Sequence, residues 1–328
     1  MTTTPDVTIV VVPRERFQMT RRSLESIYDK TTFPFALTYV DGGSPRATRR
    51  YLERQASARG FRLVRTERYL TPNQARNLGM SGVATRYIVF VDNDVLVTPG
   101  WLEALVRCAE ETGAWVVGPL YCHGELEGEV VHMTGGHAHL FDVDGVRRFR
   151  EDHRFWGKPL REVRSLLRRE PCEMVEFHCV LVRSDVLRRL GPFDEGLKSA
   201  LENPDFCMSV RQAGGEVYFE PAALITYVPP PPLAWSDLRY FFLRWSDAWN
   251  RTSLEHFREK WQLGADDPTL VRQFREWTWW RRQALLPRHS ILARLLRTRT
   301  GPALAHGLAQ AEGRLNRWLV RGGRGSRG

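Results

Sequence analysis

No stretch of the chain approaches the about 18 consecutive apolar residues that a membrane-spanning helix needs. Residues Met1 to Asp6 have neither the basic nor the apolar region of a secretory signal. Cysteine is scarce and scattered: Cys108, Cys122, Cys172, Cys179 and Cys207 form no C-x-x-C pair, which argues against a disulfide framework or a zinc ribbon. Reduced thiols in a cytoplasmic protein are the simplest expectation. Lysine is absent from residues 269–328, which hold thirteen arginines and two glutamates. That tail carries +11 against +10 for the whole chain, so the first 268 residues are close to neutral. Such a basic appendage suits an anionic surface, peripheral at the inner face of a membrane rather than nucleic acid, although a solvated basic helix accounts for it equally well. The remainder, 42% apolar and 26% charged over 328 residues, excludes a disordered chain and allows one large α/β domain with an appendage.

Strand and helix signals alternate along the first 120 residues. Val7–Val12 is a β-branched run of the kind a strand buried on both faces requires. Strands are expected at Phe35–Val40, Phe61–Thr66, Tyr87–Val91 and Trp115–Gly118, and helices at Ala47–Arg59 and Trp101–Glu111. Thr71-Pro72 and Thr98-Pro99 both read as a cap followed by a first helical residue. Repeated βα units imply a mainly parallel sheet flanked by helices, with ligands beyond the carboxyl ends of its strands. Asp41 and Asp92 stand at two such ends. Further on, Gly124–Arg150 reads as loops and hairpins, Met174–Val182 as a strand, and Glu202–Ala213 as a helix followed by strand Glu216–Glu220. Pro229–Pro232 marks a boundary; helical, aromatic-rich stretches follow at Ser236–Trp249 and Thr269–Arg282, and the Gly/Arg/Ser-rich end, Gly322–Gly328, reads as disordered.

Asp92-Asn93-Asp94 follows an apolar strand directly, and two carboxylates beside an asparagine make an oxygen-rich site for a hard divalent cation. A strand-terminating acidic turn is the competing reading of the tripeptide alone. His132, His137 and His139 read as a hairpin face with a role in acceptor binding or a second metal site, and His178 as a core histidine in an apolar strand.

In the order and spacing of its motifs the chain resembles the family 2 glycosyltransferases, which have the GT-A fold. The motifs are Val7–Pro13, Tyr39–Ser44, Asn73–Gly79, Phe90–Asp94, Leu190–Glu195, Glu202–Arg211 and Gly215–Pro221. The resemblance implies a Rossmann-like α/β domain over residues 1–228, its nucleotide-binding half at about 1–120 and its acceptor half at about 121–228. A Pro-rich linker and a basic, Trp/Arg-rich helical extension would occupy 229–328. It further implies transfer of a sugar from a nucleoside-diphosphate donor, UDP-linked, to a hydroxyl of a carbohydrate, lipid-linked or small-molecule acceptor, as in polysaccharide biosynthesis. Asp41 would accept the N3 proton of a uracil-like base and Pro13 would line the nucleotide pocket. Arg76 would face the pyrophosphate. Asp92 and Asn93 would contact the donor, and Asp94, with Asp92, would hold Mn2+ or Mg2+.

An inverting transfer needs a carboxylate to take the acceptor proton. The family places an Asp where this chain has Asn203, which leaves Glu202 as first candidate base, Asp205 as second, and the stereochemistry open. Tyr227 stands near where many relatives have a metal-ligating His, and Arg14-Glu15-Arg16 replaces the usual Tyr-Asn after the first strand. A nucleotidyltransferase would need a Gly-rich loop after the first strand, and none is present. A GT-A-like protein that has lost catalysis and binds a membrane or nucleic acid through its tail is the alternative from another class.

Overall fold

The computed structural model describes residues 5–124, 130–228, 233–285, 307 and 310–318. Pro229–Pro232 and most of the arginine-rich tail, Gly322–Gly328 included, lie outside the described residues. No described helix is long and apolar enough to cross a membrane, and all five cysteines are free thiols.

In chain order the elements are β1 (Val7–Val12), α1 (Thr20–Lys30), β2 (Ala36–Gly42), α2 (Arg46–Arg59), β3 (Arg62–Thr66), α3 (Pro72–Met80), β4 (Tyr87–Asp92), β5 (Val95–Val97), α4 (Trp101–Thr112), β6 (Val116–His123), β7 (Val130–Met133), β8 (Gly136–Val143) and β9 (Val146–His153). There follow α5 (Leu160–Val163), β10 (Glu170–Cys172), β11 (Cys179–Arg183), α6 (Ser184–Leu190), α7 (Glu202–Gln212), β12 (Val217–Tyr227), α8 (Trp235–Arg244), α9 (Asp247–Trp261) and α10 (Pro268–Leu285).

The strands form one sheet in the order β10-β12-β6-β11-β4-β1-β2-β3, with β5 paired to β12 and β7 to β6. Strands β3, β2, β1 and β4 are parallel, as the βα alternation implies. Every residue of β1 is buried because helices cover both faces of the sheet there. Beyond β4 the sheet is mixed, since β11 runs antiparallel to both β4 and β6. The register sets Val12 beside Asp92 and Cys179 beside Val91, which brings the exits of β1 and β4 and the residue before β11 to one place.

Local chemistry accounts for several element ends. At the start of α3 the Thr71 hydroxyl accepts from Gln74 N–H and the Gln74 side chain accepts from Thr71 N–H, a reciprocal cap. Thr98 plays no such part: its hydroxyl donates to the Leu224 carbonyl at 2.7 Å, and α4 begins after Gly100. The hairpin β8–β9 turns through Asp144 and Gly145, both at positive φ (51° and 77°). The strand expected from Met174 begins only at Cys179, and the helix expected over Ser236–Trp249 breaks at Trp245–Ser246, where the Ser246 hydroxyl caps α9 by accepting from Trp249 N–H.

Helices α8–α10 are built into the body. Tyr240 of α8 donates to the Pro13 and Leu70 carbonyls at 3.3 and 3.0 Å. Trp245 donates to Glu15, Trp261 of α9 donates to Asp205, and Asp267 accepts from Phe149 N–H.

Helix α3 approaches the sheet closely. A Cβ on Gly79 would stand 2.3 Å from Cγ1 of Val10 and 2.9 Å from Cγ2 of Val40. Gly79→Ala is therefore expected to destabilise the fold by about 1–3 kcal/mol through overpacking. Urea unfolding checks this, and an unchanged midpoint would contradict the packing.

Candidate active site

The carboxyl ends of β1, β2 and β4 gather the residues singled out by the strand-end pattern. Asp92, Asn93 and Asp94 are all buried. The Asn93 amide is committed to the protein: it accepts from Arg14 N–H at 2.9 Å and donates to the Arg16 carbonyl (3.1 Å) and the Thr20 hydroxyl (3.3 Å). Asn93 thus fixes the loop after β1. Asp92 is boxed by Arg14 Nη1 at 3.4 Å, His178 Nδ1 at 3.1 Å and Arg76 Nη2 at 3.9 Å. Asp94 is different, because neither of its carboxylate oxygens has a hydrogen-bond partner among the described residues.

Three arginines surround these acids. Arg76 donates to Asn73 Oδ1 at 3.1 Å, lies over the Phe177 ring, and faces Glu202 at 3.7 Å. Burial draws its guanidinium below the ordinary range although Glu202 and Asp92 oppose this. Arg244 reaches in from α8 to 3.6 Å from Glu202 and 4.0 Å from Glu15. In these three arginines five buried guanidinium nitrogens, Arg14 Nε, Arg76 Nε and Nη2, and Arg244 Nε and Nη1, have no hydrogen-bond partner among the described residues. Unpaired buried donors are costly, and oxygens of an anionic ligand would satisfy them. Arg244 was not among the expected site residues. Its one signal is a lone arginine in the aromatic run Tyr240–Trp245.

Pro13 and Asp41 end adjacent strands. The Pro13 ring lies against Gly42, and Asp41 is buried, accepting from Ser44 N–H at 2.9 Å and pairing with Arg65. Glu202 opens α7 directly after Leu201, a non-glycine residue at φ 71° that aims it inward. Asp205, one turn on, is held by Trp261 Nε1 at 2.9 Å and Lys260 Nζ at 2.8 Å, so both its oxygens fasten α9. Asn203 is buried against the Met174 sulfur.

The departures from the family pattern form one assembly. Glu15 is fully buried and accepts from Trp245 Nε1 at 3.0 Å and the Tyr227 hydroxyl at 3.3 Å. Tyr227 stacks on His178, with ring centroids 4.1 Å apart. His178 is buried and hydrogen-bonded, as a satisfied core histidine is, and its partner is Asp92 at 3.1 Å. His132 does not join His137 and His139, which bind Asp152 and Glu173 on the outer hairpin at 2.7 and 2.6 Å.

A mixed sheet of this order, with acids at the exits of parallel strands and helices on both faces, is the GT-A glycosyltransferase fold. Two solved structures share it with TM-scores of 0.53: GalNAc-T7 with UDP, GalNAc and Mn2+ (18% identity, 85% of this chain and 56% of that one) and the mannosyltransferase PcManGT of Pyrobaculum calidifontis with GDP-Man and Mn2+ (17%, 97% and 86%). Residues 8–191 match glycosyl transferase family 2, and the chain belongs to that family. It is similar to the pre-mycofactocin glycosyltransferase of Mycobacterium tuberculosis (28% identity over 156 residues, 48% of this chain and 30% of that protein) and to the O-antigen biosynthesis protein RfbC of Myxococcus xanthus (29% over 201 residues, 58% and 15%). The chain thus spans less than a third of the length of these relatives. Glu202, Asp205 and Arg244 fall beyond the matched residues.

Burial, then the charges of Asp92 and Glu15, hold the Asp94 carboxyl well above its ordinary range. The folded protein then binds this proton more tightly than the unfolded chain, so stability falls as pH rises from the ordinary value of 3.8 through the raised one. In metal-free buffer Asp94→Asn is expected to melt about 2 °C or more above wild type at neutral pH, the gain shrinking as the solution is acidified. Melting curves across pH test this, and an equal or lower melting temperature at neutral pH would refute it.

Proposed function

We propose that the chain transfers a sugar from a UDP-linked donor to an acceptor hydroxyl, with inversion at the anomeric carbon and with a divalent ion, Mn2+ or Mg2+, held at Asp94. The observation that carries this reading is a buried carboxylate with two unpartnered oxygens beside guanidinium nitrogens that also lack partners. That pairing suits a ligand offering both a hard cation and anionic oxygens, which is the chemistry of a metal–diphosphate. Both fold neighbours hold Mn2+, one with UDP and the other with GDP-Man.

On this reading Arg14, Arg76 and Arg244 direct N–H groups at the diphosphate and stabilise charge as the leaving group departs. Asp41 accepts the N3 proton of uracil with the oxygen that now pairs with Arg65. The ion supplies further neutralisation of the leaving diphosphate. Glu202 takes the acceptor proton, because Asp205 is committed to Lys260 and Trp261. Its place beside Arg76 and Arg244 joins the base to the phosphate-binding group.

A panel of nucleotide sugars assayed with and without Mn2+ tests the reading, and hydrolysis or transfer is expected with a UDP-sugar. Absence of both turnover and thermal shift with every donor would sink it. Arg244→Ala is expected to weaken UDP binding at least about tenfold, in line with the loss of charge-assisted hydrogen bonds. Glu202→Gln should lower kcat by about 10²–10⁴ while leaving donor affinity within a few-fold. If Glu202→Gln turned over at the wild-type rate, the base would have to be sought elsewhere.

A further inference from the structure

Four of the chain's nine histidines converge next to Asp92, from four separate segments. His123 ends β6, His132 lies in β7, His153 ends β9, and His178 directly precedes β11. The His132 ring centroid is 4.4 Å from that of His123, 5.5 Å from that of His153 and 5.3 Å from that of His178. Glu176 completes the group, its Oε1 3.7 Å from His132 Nε2 and 3.5 Å from His153 Nε2. Neither ring nitrogen of His132 has a hydrogen-bond partner among the described residues, though both are buried. Histidines that merely fill a core find partners for their nitrogens.

We propose that His132, Glu176 and His178 form a binding site for a first-row transition ion of the Zn2+ class, separate from the cation site at Asp94. One ligand atom from each of the three lies within 4.8 Å of the other two. An ion at about 2.0–2.2 Å from each would draw them closer still. Two imidazoles and a carboxylate are a borderline donor set, which favours zinc and its neighbours over Mg2+.

The surroundings prepare the ligands. His178 Nδ1 engages Asp92 Oδ2 at 3.1 Å, so Nε2 is the nitrogen left to coordinate, and the acid fixes the ring as carboxylates do behind metal-bound histidines. Tyr227, stacked on the other side, holds the ring plane. Burial carries His132 below its ordinary range and His178 well below it, which keeps both imidazoles neutral, the form that donates a lone pair. Three protein ligands leave a fourth position for water or a hydroxyl.

The site uses neither Asp94 nor the arginines and does not rest on the donor reading. The test uses the full chain, stripped of metal, and titrates it with Zn2+ alone by calorimetry and with Co2+ by visible absorption. One Zn2+ per chain is expected in both wild type and Asp94→Asn, with a Co2+ spectrum of nitrogen and oxygen ligation. His132→Ala and Glu176→Gln should each weaken binding by at least about tenfold. Should His132→Ala fail to fold, Glu176→Gln, which preserves shape, decides alone. No stoichiometric Zn2+ in wild type would overturn the site, as would binding that Asp94→Asn abolishes and Glu176→Gln leaves intact. UDP-induced thermal shift, read separately, reports on the donor site whichever way the zinc titration falls.

Discussion

Charge buried where β1 and β4 end is the constraint on which the rest of the structure depends. Glu15, Asp92, Asp94 and Glu202 share an interior with Arg16, Arg76 and Arg244, and the partly buried Arg14 borders it. An isolated ion there would be prohibitively costly, so each is tolerable only with the others in place. They come from the exits of β1 and β4, from α3, from α7 and from α8. The contacts of Arg76, Arg244 and Arg14 with Asp92, Glu202 and Glu15 run from 3.4 to 4.0 Å, longer than hydrogen bonds. Acids and guanidinium groups are gathered here in equal number, while several of their polar atoms have no hydrogen-bond partner among the described residues.

Asp92 lies at the edge of two such arrangements. Its Oδ1 faces Arg76, while its Oδ2 is shared between Arg14 and His178, whose ring adjoins the histidine and glutamate group. A single acid therefore orients a guanidinium group suited to phosphate and an imidazole suited to a softer ion.

The parallel half of the sheet was legible because its signals are local. A β-branched run buried on both faces, a capped helix start and an acid at a strand end each declare themselves within a few residues, as Val7–Val12, Thr71-Pro72 and Asp92 do. The family resemblance in motif order, rather than any local signal, placed Arg76 near Asp92. What stayed hidden depends on contacts across long separations. Asn93 looked like a ligand residue, yet its amide is spent on Arg14, Arg16 and Thr20. Asp205 looked like a base, yet Lys260 and Trp261 occupy it. Arg244 lies past the proline run, and only the packing of Tyr240 under Pro13 and Leu70 brings it into the site. His132 was grouped with His137 and His139 by proximity in sequence, but strand pairing sends it to β6 and them to a separate hairpin.

The hold of α9 on Asp194 and Asp205 bears on where this molecule is divisible. Lys260 bonds both acids, and His256 bonds Asp194 as well, so the segment after β11 and the first turn of α7 hang from one helix beyond the prolines. A chimera joined at the proline run would exchange that helix for a foreign one. It would leave the buried Asp205 and the partly buried Asp194 without their cations, and Glu202 on a helix that has lost its anchor. Recombination that crosses over past Trp261 keeps α7 and its support on α9 as one inheritance.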